Sequence, residues 1–317
     1  MTDRKETDAR AQAALALNGE SPYESRSVMQ MARQRFLRDR LAVFGSVMLL
    51  LLVILTLGAP LLSEYVTGFT PEQIELGATL KTPGYLNERL KDARVHVLGT
   101  DELGRDVLTR IIFGGRVSLY VSFLTVLVSV SFGTLVGAVA GYFGGAWGSI
   151  LMRLVDVIMS IPALFLLILI ASVFHPGVTG LALVLATLSW TGVSRLVRGE
   201  FLTHKNRDYV DAARVIGAGP ARIIFRHILP NATSPLIVAA TLSIGNVILT
   251  ETALSFLGMG VQPPTPSWGN MLTNSQQYLY RAPFLIIFPG LFILITVLSA
   301  NLMGNGLRDA LDPRMTE

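Results

Sequence analysis

Six apolar stretches divide this chain, and they constrain its fold more than any other feature. They run from Leu41 to Leu62, from about Val117 to Tyr142, from Ile150 to Phe174, from Val178 to about Val193, from about Ser234 to Leu257 and from Phe284 to Met303. A helix needs about 20 mostly apolar residues, rising 1.5 Å each, to cross about 30 Å of hydrocarbon. Composition agrees: 51% of the 317 residues are hydrophobic and 15% are charged, against about 25% charged in a soluble domain. Too little polar surface remains for a water-facing exterior. A soluble enzyme, a nucleic-acid binder and a disordered chain are therefore excluded together. The expected fold is an all-α polytopic membrane protein with about six transmembrane helices.

The basic residues set the expected orientation. Residues 1–40 carry eight Lys and Arg, the segment 195–230 seven and the tail after Gly304 two, whereas residues 64–116 carry seven and 258–283 one. Positive charge collects on the cytoplasmic side, which predicts cytoplasmic termini and a cytoplasmic 195–230 segment. The first span is expected to stay in place as an anchor, since its apolar run is too long for a signal peptide.

The chain thus divides into a cytoplasmic tail over 1–40, a first span over 41–63 and an extracytoplasmic cap over 64–116. A five-helix core over 117–307 follows, holding a 199–231 loop inside and a 258–283 loop outside, and 308–317 form a second cytoplasmic tail. Residues 1–25 read as a disordered polar tail. Residues 27–40 read either as a basic interfacial helix with Val28, Met31, Phe36 and Leu37 toward lipid or as a charged flank that fixes topology.

No catalytic seat is visible. The four histidines are scattered, cysteine is absent, and no metal-ligand spacing appears. The only Lys-Thr pair, Lys81-Thr82, lacks the preceding glycine of a phosphate-cradling loop. The chain is expected to be no enzyme and to bind no cofactor or metal.

The most informative segment runs from Asn206 to Asn231. Asn206 is placed to cap a helix whose first turn holds Asp208, and Gly217 to end it. Pro220 suits the first turn of a second short helix, which Pro230 is expected to stop. Tyr209, Ala212, Ala213 and Ile216 recur at helical spacing as one apolar face. The result is a helical hairpin held between two spans. A DNA-reading hairpin fits poorly, since a tether at each end restricts entry into a groove; an ordinary connector remains open.

Asp211-Ala212-Ala213, Gly217 and His227-Ile228-Leu229-Pro230 resemble the EAA loop of ABC-importer permeases, whose pattern is EAA-x3-G-x9-I-x-L-P. Asp stands for Glu at 211 and His for Ile at 227. Leu98 to Val107 (LGTDELGRDV) and Ser255 to Gly269 (SFLGMGVQPPTPSWG) resemble two further signatures of the dipeptide, oligopeptide and nickel branch, closest to its second permease subunit. The resemblance covers roughly residues 30–310. It implies a second homologous permease, two ATP-binding subunits that hold ATP and Mg, and an extracytoplasmic binding protein, in a prokaryotic inner membrane. It also assigns ATPase coupling to Asp211, Ala212, Ala213, Gly217, Ala218, Gly219 and Pro220.

Polar groups inside the spans carry a second set of expectations. Glu251 lies about two turns before the outer end of the fifth span, where a carboxylate is costly unless paired or hydrated. It either lines the path with Asn246 or makes a structural hydrogen bond. Ser118, Ser122, Thr125 and Ser129 form a stripe that continues as Gly133, Gly137 and Gly141. That stripe either packs helices closely or lines a path through Ser122, Thr125 and Ser129. Arg153 and Asp156 are expected to pair on the third span. The outer Gln262–Trp268 loop, stiffened by three prolines, is expected to present a surface to an external partner. An ion-coupled secondary transporter would share the composition, but it would typically show internal repeats and would have no use for an EAA-type loop.

Overall fold

A computed structural model describes residues 28–87 and 94–312; the expected disordered tail at 1–25 lies outside them, as does the side chain of Val28. Among the described residues, five helices are long and apolar enough to cross a membrane, and one bent pair brings the count to six.

Helix α1 (Val28–Arg38) ends at Asp39, which caps α2 (Arg40–Leu57) by accepting the N–H groups of Leu41 at 2.9 Å and Ala42 at 3.2 Å. The first helix has a protein partner. It packs against the final helix, α10 (Phe284–Leu311), with Ala32 buried and Arg35 Nη1 donating to the Asp312 carbonyl at 3.3 Å. Leu37 stays exposed, whereas Met31 and Phe36 are half-buried. The first span meets α10 at glycine. A Cβ on Gly45 would stand 2.8 Å from both Leu302 Cβ and the Ser299 carbonyl, so only backbone fits there.

The cap folds as two short strands, β1 (Tyr85–Asn87) and β2 (Arg94–His96), paired antiparallel with Tyr85 opposite His96. Helix α3 (Val107–Phe143) starts well before the expected Val117, because Asp106 caps it by accepting the Thr109 N–H at 2.8 Å and the Thr109 hydroxyl at 2.7 Å.

The third span departs from expectation. In place of one helix from Ile150 to Phe174 the chain forms α4 (Gly145–Ser160) and α5 (Ala163–Phe174), bent by 83°. Pro162 is the cause: it disfavours helical backbone at the preceding residue, and Ile161 is extended at φ −91°, ψ 130°. The expected Arg153–Asp156 pair is also replaced. Asp156 instead bonds Arg195 on α6 (Val178–His204), a partner that only tertiary packing could supply.

The stripe on α3 is the contact with α6. A Cβ on Gly133 would lie 2.7 Å from the Trp190 carbonyl, on Gly137 2.5 Å from the Ser194 carbonyl, and on Gly141 2.5 Å from Phe201 Cβ. Small residues four apart let two backbones touch along the half of the bundle nearer His204. Helix α8 (Thr233–Phe256) packs on α3 and α10 and completes the core.

Candidate functional site

One end of the bundle carries a hairpin. Helix α6 runs on to His204, and after three residues α7 (Asp208–Val215) begins. Its N-cap is Arg207, without a side-chain cap bond, so Asn206 does not take the expected capping place. Asp208 and Asp211 in the first turn complement the positive end of the helix.

Gly217 does end α7. It sits at φ +81°, the Ala218 N–H reaches the Ala213 carbonyl at 3.0 Å, and the Gly217 N–H reaches the Arg214 carbonyl at 2.9 Å. These are the two bonds of a Schellman closure, whose left-handed position suits a residue without a Cβ. A Cβ there would meet no atom within 4 Å, so the requirement is for backbone conformation and not for space.

The apolar face differs from the expected one. Val210 and Ala213 are buried in a cluster with Val197 and Phe201 of α6, Ile223, Ile224 and Ile228. Tyr209, Ala212 and Ile216 point away, and Val215 and Ile216 are 87% and 82% exposed at the tip. Helical spacing alone does not choose between two overlapping stripes; contact with α6 does. Two polar contacts brace the hairpin, since Arg214 Nη1 donates to Asp211 Oδ1 at 2.7 Å and Tyr209 Oη lies 2.9 Å from His204 Nδ1.

Pro230 does not stop the second arm. From Pro220 the helix widens into a π turn over Ile223–Ile228, tightens over Leu229–Ala232 and runs on into α8. The result is one helical path from Pro220 to Phe256. Proline has no N–H for the ladder, and the altered pitch on its N-terminal side accommodates the loss. Of the candidate coupling residues, Asp211, Ala212, Gly217, Gly219 and Pro220 are exposed, Ala218 is half-buried and Ala213 is buried.

Toward the opposite end of the bundle, Glu251 is fully buried. Ser255 Oγ donates to its Oε1 at 2.7 Å and Ser118 Oγ to its Oε2 at 3.2 Å. Ser118 Oγ also accepts the Trp268 N–H at 3.3 Å, and Ser255 Oγ accepts the Val261 N–H at 3.2 Å. One carboxylate thus ties α3, α8 and the outer loop, in the structural arrangement that the sequence left open. Ser122, Thr125 and Ser129 are likewise closed off. Thr125 Oγ1 donates to the Ala182 carbonyl of α6 at 3.0 Å, and Ser122 and Ser129 bond carbonyls of their own helix. All three are buried, because the stripe they share packs on α6. Asn246 alone of the candidate path residues is exposed.

Trp268 is not presented to a partner. It is buried, with Nε1 donating to the Ile111 carbonyl at 2.9 Å, at the start of α9 (Trp268–Ser275), which a Ser267–Asn270 capping box opens. Gln262, Pro263, Pro264 and Tyr280 are exposed at this end.

The cap holds an ionic cluster that no spacing rule revealed. Asp101 accepts the N–H groups of Leu103 and Arg105 at 2.9 Å each and the Arg105 Nε at 2.6 Å, and it lies 3.3 Å from Arg110 Nε. His96 is stacked on Phe69 at 4.2 Å between ring centres, with Nδ1 3.0 Å from Asp106 Oδ1. Burial, then the neighbouring Asp101 charge, pushes the Glu102 carboxyl above its ordinary value. The only sequence signal for this cluster was the LGTDELGRDV resemblance. Among the described residues, no group of three or more His, Cys, Asp or Glu is placed to hold a metal.

The sequence and fold have known relatives. Residues 133–317 match the family described as binding-protein-dependent transport system inner membrane component, and residues 27–83 match the N-terminal TM domain of oligopeptide transport permease C. The dipeptide transport system permease protein DppC of Haemophilus influenzae is 40% identical, over 89% of this chain and 93% of its own. The di/tripeptide transport system permease protein DppC of Pseudomonas aeruginosa is 43% identical over 89% and 91%. The oligopeptide transport system permease protein OppC of Haemophilus influenzae is 37% identical over 93% and 91%. A chain of the inward-facing MetNI methionine ABC transporter shares the fold, with a TM-score of 0.53 and 20% identity over 65% of this chain and 97% of that one. With most of its length matched at this identity, the chain belongs to the binding-protein-dependent transport system inner membrane component family, the multi-pass permease subunits of ABC importers.

Proposed function

We propose that this permease subunit carries di- or oligopeptides, the solutes named for its relatives. A second homologous permease shares the path, two ATP-binding subunits holding ATP and Mg sit below, and an extracytoplasmic binding protein docks above. The termini and the hairpin face the cytoplasm, in keeping with the excess of Lys and Arg in 1–40 and 195–230.

The observation that carries the coupling role is the unbroken helical path from Pro220 to Phe256. The exposed Val215 and Ile216 tip takes up the motion of the ATPase. Asp211, Ala212, Ala213, Gly217, Ala218, Gly219 and Pro220 hold the shape of that tip. Because Val210 and Ala213 pack on α6 and on Ile223 and Ile224, the hairpin moves as one body. Displacement at the tip therefore reaches both α6 and α8, and with α8 the exposed Asn246, which we place on the path. Motions of packed helices of this kind open one side of a site as they close the other.

The test is reconstitution. Co-expressed with its neighbouring permease and ATPase subunits, the chain should co-purify with the ATPases and support ATP-dependent uptake of a labelled dipeptide from its binding protein. Proton-driven uptake by the chain alone would contradict this reading.

A further inference from the structure

An apolar groove of about 830 Å³ opens beside the outer half of α3. Leu49 and Val53 of α2, Tyr120 and Phe123 of α3 and Ile244 of α8 line its deeper part, while Pro71, Glu72, Arg116 and Thr265 stand at the outer end. From Arg116 at the mouth to Phe123 the helix rises about 10 Å at 1.5 Å per residue, about two thirds of one leaflet of a core of about 30 Å. The groove therefore takes the upper two thirds of one acyl chain. Its lining over this depth is mainly apolar, with Thr56 and Tyr120 as the hydroxyl-bearing residues, and the charged side chains, Arg116 and Glu72, stand toward the mouth.

The charges at the mouth have a definite pattern. Arg116 is exposed and has no hydrogen-bond or ion-pair partner among the described residues. Glu72 is exposed on the cap side of the same opening, within the field of Arg110. Arg110 itself is committed to Asp101 and to the Pro71 carbonyl at 3.0 Å. A guanidinium offers fixed, forked donors that match phosphate oxygens, and a carboxylate nearby accepts from an ammonium. A peptide crossing here would find only the Thr56 and Tyr120 hydroxyls for its many backbone groups along this depth.

We infer that this groove is a binding site for one aminophospholipid of the phosphatidylethanolamine class, one acyl chain lying along α3, the phosphate on Arg116 and the ammonium toward Glu72. The leaflet, the outer one, follows from the proposed topology; the binding itself depends only on the groove and its mouth.

The experiment uses the intact importer in membranes and a phosphatidylethanolamine bearing a diazirine midway along its acyl chain. Photolabelled sites are mapped by mass spectrometry. Label should fall on Val53, Tyr120 or Phe123, and Arg116→Gln should reduce it about fivefold, the scale of one cation near a lipid surface, while Arg116→Lys retains most of it. Unlabelled phosphatidylethanolamine should compete better than phosphatidylcholine, whose quaternary amine has no proton to donate, and Glu72→Gln should erase that preference. Both substituted side chains are exposed, so folding is not at stake. Labelling absent from the groove, or unchanged in Arg116→Gln, would overturn the proposal. So would a cross-link from Phe123→Cys to the second permease, which would show the groove covered by protein. Transport activity does not enter the readout, so failure here is separable from failure of the importer reading.

Discussion

The Ala218 N–H donates to the Ala213 carbonyl at 3.0 Å, and between the two Gly217 stands at φ +81°. That closure turns the chain from α7 into the helix that becomes the fifth span. A side chain at 217 costs about 1–2 kcal/mol through left-handed backbone alone, since the space around it is open. Gly217→Ala should therefore leave the bundle folded, with a melting temperature close to the parent's. It should still lower peptide uptake relative to ATP hydrolysis in the reconstituted importer. Equal uptake per ATP in parent and variant would remove the coupling role of this turn.

Close packing of α3 on α6 supplies an internal control. Gly137→Leu drives side-chain carbon toward the Ser194 carbonyl, 2.5 Å from an ideal Cβ, whereas Gly199 has nothing within 4 Å. Overpacking costs about 1–3 kcal/mol, or more where backbone must move. The Gly137 variant should melt well below the parent in detergent and Gly199→Ala should not; similar melting of the two would show that the α3–α6 contact is not rigid.

Glu251 accepts two serine hydroxyls that in turn hold Trp268 and Val261. Glu251→Ala leaves a cavity and strands those hydroxyls, a loss of about 2–5 kcal/mol. Glu251→Gln keeps the volume and one acceptor, and should cost less. The comparison is made by thermal melting together with Trp fluorescence in a Trp147→Phe, Trp190→Phe background, where the buried Trp268 alone reports on the loop. Alanine and glutamine variants of equal stability would count against the polar hub.

The cap should respond to pH through Glu102. Its carboxyl is raised above its ordinary value by burial, with Asp101 adding to the shift. An acid whose folded value lies above its unfolded value stabilises the fold fully below the unfolded value, and that contribution is lost as pH rises through the folded value. Stability of the cap, read by hydrogen exchange of residues 94–106, should therefore fall as pH rises above the ordinary carboxylate range. Glu102→Gln should flatten that fall while keeping the Arg105 contact, seen as 2.9 Å in the parent. A steeper profile in the variant would reverse the assignment.

What the sequence revealed was set by local physics, and what it concealed was set by contacts between distant segments. Apolar length located the spans, and a glycine between two short helices located the turn at Gly217. The outcome at Pro162 and Pro230 shows the limit. Both prolines disturb a helix, but one leads to an 83° bend and the other to a change of pitch in a continuing helix. Asp156 had an apparent partner three residues away in Arg153, yet its bond is to Arg195 on another helix. Trp268 looked like an exposed aromatic in a proline-rich loop, but it fills the space beside Gly115, where an added Cβ would approach its ring to 2.6 Å. The stripe from Ser118 to Gly141 was legible as a stripe; which surface it faced was not.

The central claim is that the Val215–Ile216 tip is where ATPase motion enters the bundle. Because the chain contains no cysteine, Ile216→Cys provides a single reactive site, to be paired with cysteines introduced along the docking cleft of the ATPase subunits. In the assembled importer, disulfide formation should be efficient at one position of that cleft, should change in rate when ATP is added, and should stop uptake until reductant is supplied. A tip that forms no cross-link to the ATPase, in an importer that still transports, would contradict the account.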